Sequence, residues 1–134
     1  MGNEAREPQF QATAPHLVVT DLPRAVRYFH EALGFNMPRL WGDPPAFAMP
    51  SRDGFIFMLQ QVEPGSNATR GPGRGDMWDA YVWVKNADLL FAEFQQNGAD
   101  IAYEPCIREE YDMKEFAVRD PDGHIIAFGQ HHEV

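Results

Sequence analysis

The sequence lacks most of the features from which chemistry is easily read. It has one cysteine, Cys106, so no disulfide forms within the chain. No run approaches the eighteen or so apolar residues of a membrane span. The first fifteen residues, MGNEAREPQFQATAP, hold no apolar h-region. The expectation is a chain without a signal peptide, located in the cytoplasm and in contact with no membrane. Bases are scarce: 11 Lys and Arg stand against 20 Asp and Glu, for a formal charge of −9. That argues against a nucleic-acid backbone as partner. The charge chiefly keeps the chain soluble and mildly favours cationic ligands. There is no phosphate loop, no His-x-x-His pair and no Ser-His-Asp or Cys-His arrangement at a recognisable spacing. Cys106, near Pro105, reads as an inert thiol.

What is there suits one soluble domain with a sizeable core: 134 residues, 44% of them hydrophobic. Residues 1–11 read as a flexible tail. HLVVTDL, 16–22, is a strand entering a turn. A helix follows, with Asp21 as N-cap, Pro23 in the first turn and Gly34 as the stop. Ala25, Val26, Phe29, Ala32 and Leu33 recur at helical spacing. Strands are expected at 36–40, 47–49 and 55–62, the last two joined by a turn at 51–54. EPGSNATRGPGRGD, 63–76, reads as a linker. Its Asn67-Ala68-Thr69 and Arg74-Gly75-Asp76 are short patterns of the kind that arise by chance.

The order then repeats. WDAYVWVK, 78–85, is a strand. NADLLFAEFQQNGAD is a helix capped by Asn86, with apolar Leu89, Leu90, Phe91 and Phe94 and a stop at Gly98. Residues 101–103 are strand-like, and FAVRDPDGHIIAFGQ is a hairpin. Alternation on its second strand puts His124, Ile126 and Phe128 on a helix-packing face, and Ile125, Ala127 and Gly129 on the other. Ser51–Leu59 aligns with Asp120–Phe128, and His16–Val19 with Tyr81–Val84. The expected fold is α+β: two βαβββ modules, about 12–62 and 77–130.

HLVVTDLPRAVRYFHEALGF, the Asp-Pro-Asp-Gly turn before an apolar strand and the duplicated unit resemble the vicinal oxygen chelate superfamily. That superfamily includes glyoxalases, extradiol dioxygenases, fosfomycin-resistance enzymes and bleomycin-resistance proteins. The resemblance implies curved mixed sheets around a concave pocket, a homodimer and, in its enzymes, a divalent metal held by His and Glu. It places those ligands at Ala14, Met58, Asp79 and Ala127, where one carboxylate alone has ligand chemistry. His16, two residues from Ala14, shares its strand face and reads as a pocket-lining histidine. His30 is expected in solvent, and Lys114 and Glu115 on an exposed strand face. Glu109, Glu110 and Asp112 form an acidic loop beside Tyr111.

The expected ligand wall takes Asp79, Tyr81 and Trp83 from one strand and Trp41, Phe47, Met49 and Met58 from the first module. Tyr103, Tyr111 and Met113 complete it with His16. Trp and Tyr suit stacking on flat ligands, and Met adapts to them. The resemblance is closest to the bleomycin-resistance type. It implies a protein without metal or cofactor that sequesters a bulky aromatic or cationic, antibiotic-like small molecule, with Asp79 facing an amine or amide. The alternative is a metal-dependent lyase, isomerase or dioxygenase with displaced ligands such as His16, Asp79 and Glu115.

Overall fold

A computed structural model describes residues 6–64, 66 and 77–132. The linker expected at 63–76, with its two short motifs, lies almost wholly outside the described residues, as do residues 1–5 of the tail. Residues 7–15 hold no helix or strand.

The first half runs β1 (His16–Val19), α1 (Leu22–Glu31), β2 (Leu40–Trp41), β3 (Phe47–Ala48), β4 (Ser51–Arg52), β5 (Phe55–Ile56) and β6 (Met58–Gln61). The second runs β7 (Ala80–Trp83), α2 (Ala87–Gln96), β8 (Asp100–Arg108), a short 3-10 turn (Glu109–Tyr111), β9 (Met113–Arg119) and β10 (Ile125–His131). Each half builds a four-stranded sheet, β1-β6-β3-β2 and β7-β10-β9-β8. In both, the first strand pairs parallel with the last, and the remaining pairs are antiparallel. The fold is therefore α+β with two βαβββ units.

Local chemistry explains the elements. Asp21 Oδ1 accepts from Arg24 N at 3.2 Å and opens α1. Asn86 Oδ1 accepts from Leu89 N at 3.0 Å and opens α2. Gly34 and Gly98 follow the helices at φ +74 and +84, a conformation that Cβ-bearing residues resist. Leu22, Ala25, Val26 and Phe29 of α1 are buried. Leu89 departs from the expected apolar face of α2 and is 69% exposed.

The expected strand at 55–62 is interrupted at Phe57. Its N–H donates to Pro50 O at 3.0 Å, and its ring turns inward against Phe29 and Phe35, at 5.4 and 5.5 Å between centroids. Residues 51–56 instead make a separate two-stranded hairpin, β4-β5. The strand expected at 36–40 survives only at its end, as β2. Asn36 pairs with Ser51 through backbone and side chain, and Pro38 has no N–H to offer a ladder.

One hydrophobic core joins the halves. It takes Leu17, Val19 and Leu59 from the first sheet and Phe116, Val118, Ile126 and Phe128 from the second, with both helices between. Asp122 clasps the first half across the domain: its carboxylate accepts Thr20 Oγ1 at 2.6 Å and Thr20 N at 3.2 Å. Arg52 binds Glu93 at 2.7 and 3.0 Å and the Leu33 carbonyl at 2.8 Å. At the closing turn, Asp120 accepts from His124 N and meets His124 Nδ1, both at 2.7 Å. Burial alone would lower the His124 pKa, but the hydrogen bond and charge of Asp120, with the charges of Asp79 and Asp122, together turn the net direction up.

Candidate functional site

The second sheet has two unlike faces. Phe116, Val118, Ile126 and Phe128 point to the helices, and Phe116 and Phe128 stack at 5.3 Å. The opposite face has a small-residue floor of Ala117, Ile125 and Ala127, covered by Tyr81 and Tyr103. Asp79 Oδ2 accepts from Ile125 N at 2.9 Å and anchors the start of β7 beside this floor. Trp78 lies 4.6 Å from the Tyr81 ring and 6.0 Å from Tyr111, and Tyr81 lies 5.2 Å from Trp83. Trp83 is 75% exposed at the strand end. The wall is aromatic, and much of it is open.

At its centre is Glu115 on β9. It was expected on an exposed face; it is completely buried. Tyr81 donates to Oε1 at 3.0 Å and Tyr111 at 2.8 Å, while Tyr103 donates to Oε2. Arg108 Nε approaches Oε2 at 3.4 Å. A carboxylate has about four lone-pair sites, and these partners account for them. A buried charge without such partners would cost several kcal/mol, roughly. Burial first, then Glu115, pushes the Tyr111 hydroxyl up to about 12. The same causes in the same order raise Tyr81 and Tyr103 further. Trp78 Nε1 donates to the Tyr103 hydroxyl at 2.9 Å and ties the outer ring into the network.

Gly129 makes this geometry possible. It is the cross-strand partner of Glu115, on the strand that separates β7 from β9. Tyr81 must pass over it to reach the carboxylate. A Cβ at 129 would lie 1.9 Å from the Tyr81 hydroxyl oxygen and 2.8 Å from Met113 Cε.

The first-module candidates gather elsewhere. His16 and Met58 are paired across β1 and β6. His16 is exposed, with Nε2 2.8 Å from Gln60 Oε1. Trp41 and Phe47 pair across β2 and β3 with centroids 6.0 Å apart, and Arg39 lies 5.0 Å over Trp41. Met49 is half-buried after β3. Among the described ring contacts, none joins Trp41 or Phe47 to the tyrosines of the second sheet. Met113 is buried beside Gly129.

The four positions at which the sequence resemblance would place metal ligands do not fit an ion. Ala14 and Ala127 have no donor, Met58 offers a thioether, and Asp79 holds the Ile125 amide. Among the described residues no group of three or more His, Cys, Asp or Glu converges as ligands, so His16, Asp79 and Glu115 form no such set. Cys106 is half-buried, and burial raises its thiol pKa, so the reactive thiolate is scarce. No helix of the described residues is long and apolar enough to cross a membrane. His30 lies at the surface with Nδ1 2.7 Å from the Phe35 carbonyl, and Lys114 pairs with Asp88.

Sequence reasoning missed Trp78 and Arg108, and it named Glu115 only as a displaced metal ligand on an exposed face. Strand alternation held the signal for Glu115, which shares the parity of Met113 on β9. A groove of about 450 Å³ opens over Trp78, Arg108 and Tyr111, with Met77 and Glu110 at its edge. A larger one, about 660 Å³, lies between Phe35, Phe57, Leu89 and Phe94. There Arg52 and Glu93 neutralise each other, which leaves the groove chemically blander.

No curated protein matches the chain. TioX from Micromonospora sp. ML1 is 27% identical, with 91% of this chain and 99% of TioX covered, at a TM-score of 0.65. TnmS3, an antibiotic binding protein from Streptomyces sp. CB03234, is 17% identical, with 92% and 99% covered, at 0.67. The bleomycin-binding protein of bleomycin-producing Streptomyces verticillus, solved with copper(II)-bleomycin, is 21% identical, with 91% and 97% covered, at 0.63. The family model described as Glyoxalase/Bleomycin resistance protein/Dioxygenase superfamily matches residues 10–128. With that match across nearly the whole chain and the duplicated βαβββ order observed, the chain belongs to this superfamily.

Proposed function

We propose that this chain is a cytoplasmic, metal-free binding protein that sequesters a bulky aromatic, antibiotic-like small molecule without making or breaking a bond. One observation carries the reading: an open aromatic wall is built around a buried carboxylate, where a metal enzyme of this fold would need a ligand set. Rings at Trp78, Tyr81, Trp83, Tyr103 and Tyr111 offer stacking surface. The fold shared with an antibiotic binding protein and a bleomycin-binding protein supports it. Asp79, His16, Trp41, Phe47, Met49 and Met58 complete the candidate ligand surface, with the buried Met113 beneath it.

The working unit in this proposal is a homodimer. Strands β1 and β7 are sheet edges, each paired on one side only, and the two aromatic groups lie apart in the single chain. A second copy would cover the edges and bring a first-module face against a second-module face. Sedimentation should give twice the chain mass; a monomer at micromolar concentration refutes the dimer.

The test of function is a panel of glycopeptide, thiopeptide and depsipeptide drugs, followed by calorimetry and tryptophan quenching. At least one should bind stoichiometrically and be recovered unchanged. Failure of the whole panel refutes the reading. Elemental analysis of protein purified without chelator should find no stoichiometric divalent ion; finding one refutes the metal-free assignment.

A further inference from the structure

The hydroxyls around Glu115 have a fixed polarity. A phenol has one proton, and Tyr81, Tyr103 and Tyr111 each donate theirs inward to the carboxylate. Tyr103 also accepts from Trp78 Nε1 at 2.9 Å. Tyr111, which lines the groove, therefore presents oxygen lone pairs and the electron-rich face of its ring there, while Tyr81 packs beside the groove-lining Trp78. Glu115 is fully buried and meets no ligand itself.

We infer that Glu115, acting from beneath the wall, makes its tyrosine rim a hydrogen-bond acceptor and so selects flat aromatic ligands with N–H or O–H donors at their edge. This rests on the binding function proposed above and names the ligand chemistry of the same site. Glu115 is a positioning residue, and Tyr111 is the contact, with Tyr81 behind Trp78. An acceptor-only ligand would set lone pairs against lone pairs. To donate to it, a tyrosine would have to turn its proton away from a buried carboxylate, which then loses a partner. One such mismatch weakens binding roughly tenfold. Among the described residues the cluster's cation is Arg108, with Nε turned to Glu115 and its guanidinium 5.1 Å over the Tyr103 ring.

Two neutral coumarins test this: an aminocoumarin, with N–H donors, and its methoxy counterpart, the same flat ring with an ether acceptor. Binding is read by calorimetry on the full chain. The wild type should prefer the amino probe about tenfold. In Glu115→Gln the amide oxygen stays with Arg108 and Tyr103 while the NH2 donates to Tyr81 and Tyr111 and frees their protons, and the preference should fall to about twofold or less. Tyr111→Phe, at a rim position 40% exposed, keeps the fold and should weaken the preference by removing one acceptor. A second readout needs no ligand. Absorbance of tyrosinate should stay absent in the folded wild type near pH 10, where free tyrosine titrates, and should appear earlier in Glu115→Gln. Equal affinity of the wild type for the two coumarins overturns the inference and leaves the binding function standing. So does tyrosinate appearing near pH 10 in the folded wild type. If both coumarins and the whole drug panel fail to bind, the binding function falls, and this inference with it.

Discussion

Replacing Gly129 with alanine should dislodge Tyr81 while leaving the sheet intact. The added methyl would stand 1.9 Å from the tyrosine oxygen and 2.6 Å from Cζ, distances no relaxed structure holds. The backbone is β-strand paired on both sides, so the strand cannot yield. The ring is the movable part. When it swings out, its hydrogen bond to Glu115 is lost, while Tyr103, Tyr111 and Arg108 still hold the carboxylate. A hydrogen bond to a charged group contributes about 1.5–3 kcal/mol, and the Tyr81 hydroxyl, half-buried, regains part of that from water. The expected destabilisation is about 1.5–2.5 kcal/mol by urea denaturation, with an unchanged m-value. In a Tyr81→Ala background there is no ring to displace, and the same substitution should cost about 1 kcal/mol less or better. A Gly129→Ala cost of the same size in both backgrounds would refute this account of Gly129.

The Asp120–His124 pair makes stability depend on pH. The His124 pKa is raised above its ordinary 6.5 by its partner, so its contribution is complete below that value and is lost as pH rises through the folded pKa. Urea midpoints should fall above pH 6.5 in the wild type and lose that component in His124→Gln; identical profiles would dismiss the pair as the source. Thr20→Val removes the 2.6 Å hydroxyl bond to Asp122 but keeps the backbone one. It should cost about 1–2 kcal/mol, and a cost below about 0.5 kcal/mol would mean the clasp is solvated.

Much of the fold was legible because its signals are local. Asp21 and Asn86 cap, Gly34 and Gly98 stop, and the alternation along β10 divides its residues between two faces. The break at Phe57 was not legible, because it depends on a pocket for that ring made by Phe29 and Phe35, far off in sequence. Glu115 was misplaced for a related reason. A glutamate beside a lysine in MKEFAVR reads as solvated, and the partners that reverse this arrive from four, 12 and 34 residues away. Tyr81, Tyr103 and Tyr111 were singled out for their rings, yet it is the convergence of their hydroxyls that makes the buried charge tolerable.

The clasp between Thr20 and Asp122 spans 102 positions. On a ribosome, the first helix and its strands emerge long before the turn that grips them has been synthesised. Their apolar faces belong to a core completed only by Phe116, Ile126 and Phe128, so the early half waits uncovered. Contacts this distant in sequence close slowly. The nascent chain is therefore most exposed to aggregation or chaperone capture between completion of its first sheet and arrival of its last strand. A chain ended before Asp122 would keep that vulnerability for good.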